Sequence, residues 1–255
     1  MAQLGFKALA STSSGFAWSM GRQDNHVTLE QALAHLRALA AAVEVPVSAD
    51  FEGGFALEPD EVRANVTLAL ETGIAGLSVE DSKKDGSRGL LDLGLSIERV
   101  RGAKAAFDAG GGVLTARSEG FVAGQPDLGE TIRRLTAYAD AGADCLFAPG
   151  LRSKPDIAAV VKAVAPKPVN VLASSDFTNV VEMTELGVRR ISVGGSRARS
   201  RASSSTASSR ADARRRSGAQ LEAPAMRSVH ADGPDEVHRE AVAKLELTYA
   251  LTTPT

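Results

Sequence analysis

The sequence predicts an α/β fold: a (β/α)8 barrel of the TIM type, incomplete at its N-terminus and atypical at its C-terminus. Three observations carry that reading. From Phe6 to Val193, short apolar, β-branched runs alternate with longer amphipathic segments, the pattern of parallel strands joined by crossover helices. Gly73, Gly142 and Gly187 each stand between an amphipathic segment and the next apolar run, where a left-handed helix cap costs glycine little. Polar residues follow the apolar runs, at the strand ends where a parallel barrel carries its ligand site.

Strands are predicted at residues 6–11, 46–49, 75–79, 112–116, 143–147, 168–172 and 189–193. Helices are predicted between them at 28–43, 59–72, 95–107, 128–141, 155–164 and 177–186. Thr28 suits a helix start, and so does Pro59 in a first turn with Asp60 and Glu61. That makes about seven strands, one short of the eight that close such a barrel. The first lies a few residues from Met1, so part of the barrel is expected to be missing at the N-terminus, leaving it open with exposed strand edges.

The barrel domain is predicted to span residues 1–196. A content of 44% hydrophobic residues in 255 is enough for one sizeable core. Past Gly194 and Gly195 the character changes: residues 196–217 are almost all Ser, Arg and Ala, without an apolar stripe to bury. Residues 197–255 are therefore expected to form an Arg/Ser-rich disordered tail. Val237, Val242, Leu245 and Leu247 give a weak helical spacing over residues 236–251. The tail's charge could attract nucleic acid, but no aromatic or recognition element accompanies it, so a solvated tail and no nucleic-acid partner are expected. The single cysteine, Cys145, excludes an internal disulfide and points to a reducing, cytoplasmic setting. No apolar run approaches the roughly 20 residues of a membrane helix, so no membrane partner is expected.

The strand ends are rich in carboxylates. One run ends in Asp50-Phe51-Glu52-Gly53-Gly54-Phe55, the next in Glu80-Asp81, the next in Arg117-Ser118-Glu119; the first loop runs Thr12-Ser13-Ser14-Gly15 and reaches Asp24. If Asp50, Glu52 and Glu80 converge, each pair about 4 Å apart repels by roughly 4 kcal/mol at an effective dielectric near 20. A cation would relieve that repulsion, and oxygen ligands favour Mg²⁺ or Mn²⁺ over Zn²⁺. The alternative is that Asp50 and Glu80 cap loops or pair with Arg117.

The ordered set formed by Ser14-Gly15-Phe16 to Asp24, Ser48 to Phe55, Val79-Glu80-Asp81, and Ala116 to Glu119 with Ala123-Gly124 resembles the isocitrate lyase and phosphoenolpyruvate mutase superfamily. The resemblance covers Leu4 to about Ser196. It implies that Asp50 holds Mg²⁺ and that Glu52 and Glu80 reach the ion directly or through water. It further implies that Ser14, Gly15 and Phe16 hold a substrate carboxylate through hydroxyl and backbone N–H groups. Asp24 is placed beside the reacting centre, with Glu119 a further catalytic candidate, and Arg117 binds a carboxylate as a two-pronged donor. The chemistry implied makes or breaks a C–C or P–C bond next to an α-keto acid or enolate, and the last helices of such proteins exchange between subunits of a dimer or tetramer.

The sequence departs from that pattern in two loops. Isocitrate and methylisocitrate lyases carry a cysteine proton donor after the strand ending at Glu80, where this chain reads Ser82-Lys83-Lys84-Asp85-Gly86-Ser87-Arg88-Gly89. Those two activities are disfavoured. Mutase-like members place a histidine after residues 143–147, where this chain has Ala148-Pro149-Gly150, so P–C chemistry is expected less than C–C. Cys145 reads as a core residue. His26 could border the site, while His35, His230 and His238 read as surface residues. Two readings follow: a Mg²⁺-dependent lyase or hydrolase of small oxo- or hydroxy-dicarboxylates, and a catalytically weak barrel that binds carboxylates.

Overall fold

A computed structural model describes residues 7–84, 87, 89–107, 111–173, 179–193 and 246–250. Seven parallel strands pair in chain order: β1 (Ala8–Ala10), β2 (Val47–Asp50), β3 (Gly76–Glu80), β4 (Val113–Arg117), β5 (Cys145–Phe147), β6 (Val169–Leu172) and β7 (Arg190–Ser192). All seven lie where the sequence places them. The ring is closed by β8 (Glu246–Ala250), antiparallel to both β7 and β1. The parallel set is thus incomplete as a (β/α)8 barrel, but the barrel is not open.

Over residues 246–250 strand β8 stands where the sequence suggests the end of a weak helix; residues 236–245 lie outside the described residues. Glu246-Leu247-Thr248-Tyr249-Ala250 alternates with a period of two, and β1 and β7 offer edges whose N–H and C=O groups need partners. The rest of the expected tail lies outside the described residues, as do Asp85, Gly86 and Arg88 of the loop after Glu80.

The helices are α1 (Ser13–Ser19), α2 (Leu29–Ala41), α3 (Pro59–Leu70), α4 (Leu93–Phe107), α5 (Leu128–Asp140), α6 (Lys154–Val164) and α7 (Val180–Glu185). Six lie where the sequence predicts helices, and several of these start on a side-chain cap: Thr28 and Gln31 form a capping box on α2, Asp127 caps α5, Ser153 caps α6 and Asn179 caps α7. The seventh, α1, lies where the sequence predicts a loop, and Ser-Ser-Gly has little helix propensity of its own. Thr12 caps it, and Gly15 permits the tight turn, since a Cβ there would lie 2.5 Å from Thr12 Cγ2.

Alternation along each strand sorts the side chains. Leu9, Val47, Leu77, Leu114, Leu146, Val169 and Ile191 are buried in one apolar cluster with Val62, Val66, Val100, Leu135 and Ile157 of the helices. Burying such a side chain stabilises the fold by about 1.5–3 kcal/mol. Gly102 lets α4 pack closely on α3, because a Cβ there would lie 2.5 Å from the Pro59 carbonyl oxygen. The intervening positions, among them Ser48, Asp50, Ser78, Glu80, Thr115, Arg117, Asn170, Arg190 and Ser192, line the barrel interior and its mouth. No helix among the described residues is long and apolar enough to cross a membrane.

Candidate active site

The strand ends surround a cavity of about 460 Å³. At its rim Asp50, the last residue of β2, accepts hydrogen bonds at Oδ2 from the backbone N–H (3.2 Å) and hydroxyl (3.0 Å) of Ser13, at the start of α1. Its own N–H donates to Ser11 Oγ at 3.0 Å. Both ends of the β1–α1 turn are thereby tied to the tip of β2, and the carboxylate meets the donor-rich first turn of a helix.

Arg117, at the end of β4, is the hub. Its Nη1 stands 2.7 Å from Asp50 Oδ1, its Nη2 3.0 Å from Glu80 Oε2, and Nε and Nη2 both lie 2.9 Å from Glu119 Oε1. The guanidinium also lies over the Phe147 ring, 5.4 Å from its centroid. Glu80 is held from its other oxygen by Ser82 Oγ at 2.7 Å and Lys84 Nζ at 2.5 Å; Lys84 also bonds Asn25 Oδ1.

The loop after β2 is wound through left-handed backbone at Glu52 (φ 49°), Gly54 (φ 75°) and Phe55 (φ 55°). A non-glycine residue held there is uncommon and needs support from its surroundings. Buried Arg99 supplies it, donating to the carbonyls of Gly53, Ala56 (2.6 Å) and Leu57 (2.9 Å). A second buried network braces the next two loops: Asp81 accepts from the Glu119 N–H (2.8 Å) and the Tyr138 hydroxyl (2.6 Å), and pairs with Arg134 (3.2 Å).

The environments separate the acids. Burial disfavours the charged form of Glu80, but Arg117 and Lys84 overcome it and hold the group down at about 2. Burial pushes Glu119 up to about 8, only partly offset by Arg117. Glu52 is pushed up to about 7 by burial, opposed by Lys84 and reinforced by Asp50, Glu80 and Asp24. Asp24, on the exposed lip of the cavity, is raised by partial desolvation and by the like charges of Asp50 and Glu80.

The structure brings Ser14, Asp24, Asp50, Glu80, Arg117 and Glu119 to one cavity. The arrangement differs from a simple convergence in three respects. Glu52 lines two neighbouring clefts instead, because the left-handed turn carries it off the barrel mouth. Gly15 and Phe16 do not line the cavity; their N–H groups go to the Thr12 hydroxyl and carbonyl, and the Phe16 ring stacks on His35 at 3.9 Å. His35 is therefore not a plain surface residue. Lastly, Arg117 pairs with Asp50 and Glu80, the arrangement weighed against a metal cage. Among the described residues no three His, Cys, Asp or Glu side chains form a ready-made ligand group, with Arg117 standing between Asp50 and Glu80. Cys145 is buried, as expected, and His26 is exposed outside the cavity, its Nδ1 3.0 Å from the Asp24 carbonyl oxygen.

Sequence reasoning passed over Lys84, Asn170, Arg190 and Ser192. Lys84 lies four residues after Glu80, and the other three alternate with the apolar residues of β6 and β7; period-two sorting of those strands reveals them.

Residues 1–213 match the phosphoenolpyruvate phosphomutase family. The chain belongs to that family. Among solved structures, the family member resembles a candidate lyase/mutase of Burkholderia cenocepacia J2315, 38% identical, with a TM-score of 0.79 over 93% of this chain and 84% of the other. Oxaloacetate acetylhydrolase in complex with the product oxalate is 28% identical, with a TM-score of 0.67 over 74% and 68% of the two chains. Phosphonopyruvate hydrolase in complex with oxalate and Mg²⁺ is 27% identical, with a TM-score of 0.64 over 72% and 66%. Proteins of the phosphomutase superfamily act as lyases, mutases and hydrolases on oxo-acid carboxylates.

The donor chemistry of this family member suits a hard dication, which would take the place that Arg117 now fills between Asp50 and Glu80, with Glu52 in the adjoining cleft. Asp24, Asp50, Glu52 and Glu80 offer oxygen alone, and they are close enough that their charges raise Asp24 and Glu52.

Proposed function

We propose that this chain is a Mg²⁺- or Mn²⁺-dependent lyase or hydrolase that cleaves a C–C bond, in preference to P–C, of a small oxo- or hydroxy-dicarboxylate. The observation that carries the reading is the Arg117 hub, which gathers Asp50, Glu80 and Glu119 on one cavity wall. Asp50 and Glu80 are the residues that would hold the ion, with Glu52 and Asp24 next to them. When bound, the ion supplies Lewis-acid stabilisation of the enolate charge that develops as the bond breaks, an effect of several kcal/mol.

The chain's own residues do the rest. Arg117 fixes the two rim carboxylates and presents positive charge to an incoming carboxylate, while Ser14 at the start of α1 offers a hydroxyl to the same group. Glu119 is lifted by burial to about 8, which suits a group that gives up a proton near neutral pH, and both bonds from Arg117 land on Oε1, so Oε2 is the oxygen left to carry it. It takes the place of the proton donor that the loop after Glu80 lacks. Asp24, on the lip beside Ser13, borders the reacting centre. The reading goes with a cytoplasmic setting and a homo-oligomer, dimer or tetramer.

The second reading, a barrel that binds carboxylates without turnover, is favoured by one observation: Arg117 is already neutralised by the rim acids. Assays with Mg²⁺ over oxaloacetate, methylisocitrate and phosphonopyruvate separate the two. Turnover that vanishes in Asp50→Ala supports the lyase or hydrolase; binding without turnover of any of the three supports the second.

A further inference from the structure

Inside a parallel barrel the inward positions are ordinarily filled by branched apolar side chains packed in layers. Here Ser48, Ser78, Thr115, Asn170, Arg190 and Ser192 occupy them, all lining the cavity. Buried polar groups are costly unless something answers them.

Arg190 dominates this floor. From β7 it reaches across to the far wall, donating through Nη1 to Thr115 Oγ1 at 2.9 Å and approaching Ser48 Oγ at 3.5 Å through Nη2. Thr115 and Ser48 each precede a rim residue, Arg117 and Asp50, by two positions on the same strand. At about 3.3 Å per residue, the guanidinium is therefore anchored roughly 7 Å below the rim. Unlike Arg117, it pairs with no carboxylate among the residues whose side chains are described: its partners are the Thr115 and Ser48 hydroxyls and the Cys145 thiol.

A second, independent observation lies beside it. Asn170, its neighbour in register across β6 and β7, is 3% exposed and lines the same cavity. Its Nδ2 donates to Ser192 Oγ at 3.0 Å, while Oδ1 has no partner. A buried acceptor left unpaired costs about 1–3 kcal/mol, a deficit that a ligand hydroxyl or a bridging water removes.

We infer that Arg190 and Asn170 form a second subsite at the barrel floor, which binds the distal carboxylate of a short dicarboxylate whose other end lies at the rim. Arg190 is then the residue that selects dicarboxylates over monocarboxylates. The inference rests on the rim being the site for the proximal end of the substrate, as proposed above. A guanidinium held by neutral groups offers its remaining N–H donors to a carboxylate without first losing an ion pair.

The test is calorimetric titration of the full chain, in Mg²⁺, with L-malate and with pyruvate. Wild type is expected to bind L-malate at least tenfold more tightly, and Arg190→Gln to erase that ratio while leaving pyruvate affinity unchanged. Arg190→Lys, which keeps the charge but not the fork, reduces the ratio several-fold and serves if the glutamine variant does not fold. No preference in wild type, or a ratio unchanged in either variant, overturns the assignment. Asp50→Asn in parallel reads the rim separately: if it weakens neither ligand, the metal-rim reading fails while the Arg190 variants still return their own answer.

Discussion

Arg117 Nη1 stands 2.7 Å from Asp50 Oδ1, and that contact makes the rim of this barrel a set of acids organised by one cation. Removing the cation leaves the Asp50 and Glu80 carboxylates uncompensated and strips Glu119 of its hydrogen-bond donor. Breaking a buried ion pair from one side costs about 3–5 kcal/mol. Arg117→Ala is expected to lower stability by that order in chemical denaturation, and Mg²⁺ to recover a larger share of it than it adds to wild type.

Glu52 predicts a pH dependence of stability. Its folded value near 7 lies above the unfolded 4.5, so the folded state binds the extra proton. Stability is therefore full below about 4.5, falls as pH rises toward 7, and levels off above it. A shift of that size corresponds to at most about 3 kcal/mol. Denaturation of the metal-free protein across this range should show the slope, and Glu52→Gln should flatten it.

The same charge arithmetic ties metal to pH. An ion near Asp50, Glu80 and Glu52 displaces the proton of Glu52, so the thermal stabilisation by Mg²⁺ should grow between pH 6 and about 8. Melting curves with and without the ion, at a series of pH values, check it.

Tyr138 and Asp81 brace the loops that carry Glu80 and Glu119. Tyr138→Phe strips the 2.6 Å hydroxyl bond from a buried carboxylate and is expected to cost about 1–3 kcal/mol. In urea the midpoint should fall with the slope unchanged.

Glu119 sets the alkaline limit. Its folded value near 8 means that the proton is present below that pH and lost above it. Turnover should decline on the alkaline side as Glu119 loses its proton, at or below the metal-free value because a bound cation favours the carboxylate, and Glu119→Gln should lower the rate and remove that limb of the pH–rate profile.

Much of this was legible in the sequence, for a physical reason. The seven parallel strands repeat one local pattern, and a carboxylate after an apolar run must lie at the barrel mouth; Asp50, Glu80, Arg117 and Glu119 follow from that alone. Three things were not local. Helix α1 depends on Thr12 capping a Ser-Gly sequence that has little propensity of its own. Strand β8 forms because β1 and β7 need a partner far along the chain. Glu52 leaves the mouth because Arg99, 47 residues later, fixes the loop carbonyls. The polar floor was readable but unread: in Arg190-Ile191-Ser192 the apolar residue faces the helices, so its neighbours must face the cavity.

The most direct test is calorimetric titration of Mg²⁺, in the presence of oxalate, into wild type and Asp50→Asn. Saturable uptake of the ion by wild type, weakened a hundredfold or more by the substitution, is the predicted result. Equal isotherms for the two proteins contradict the account.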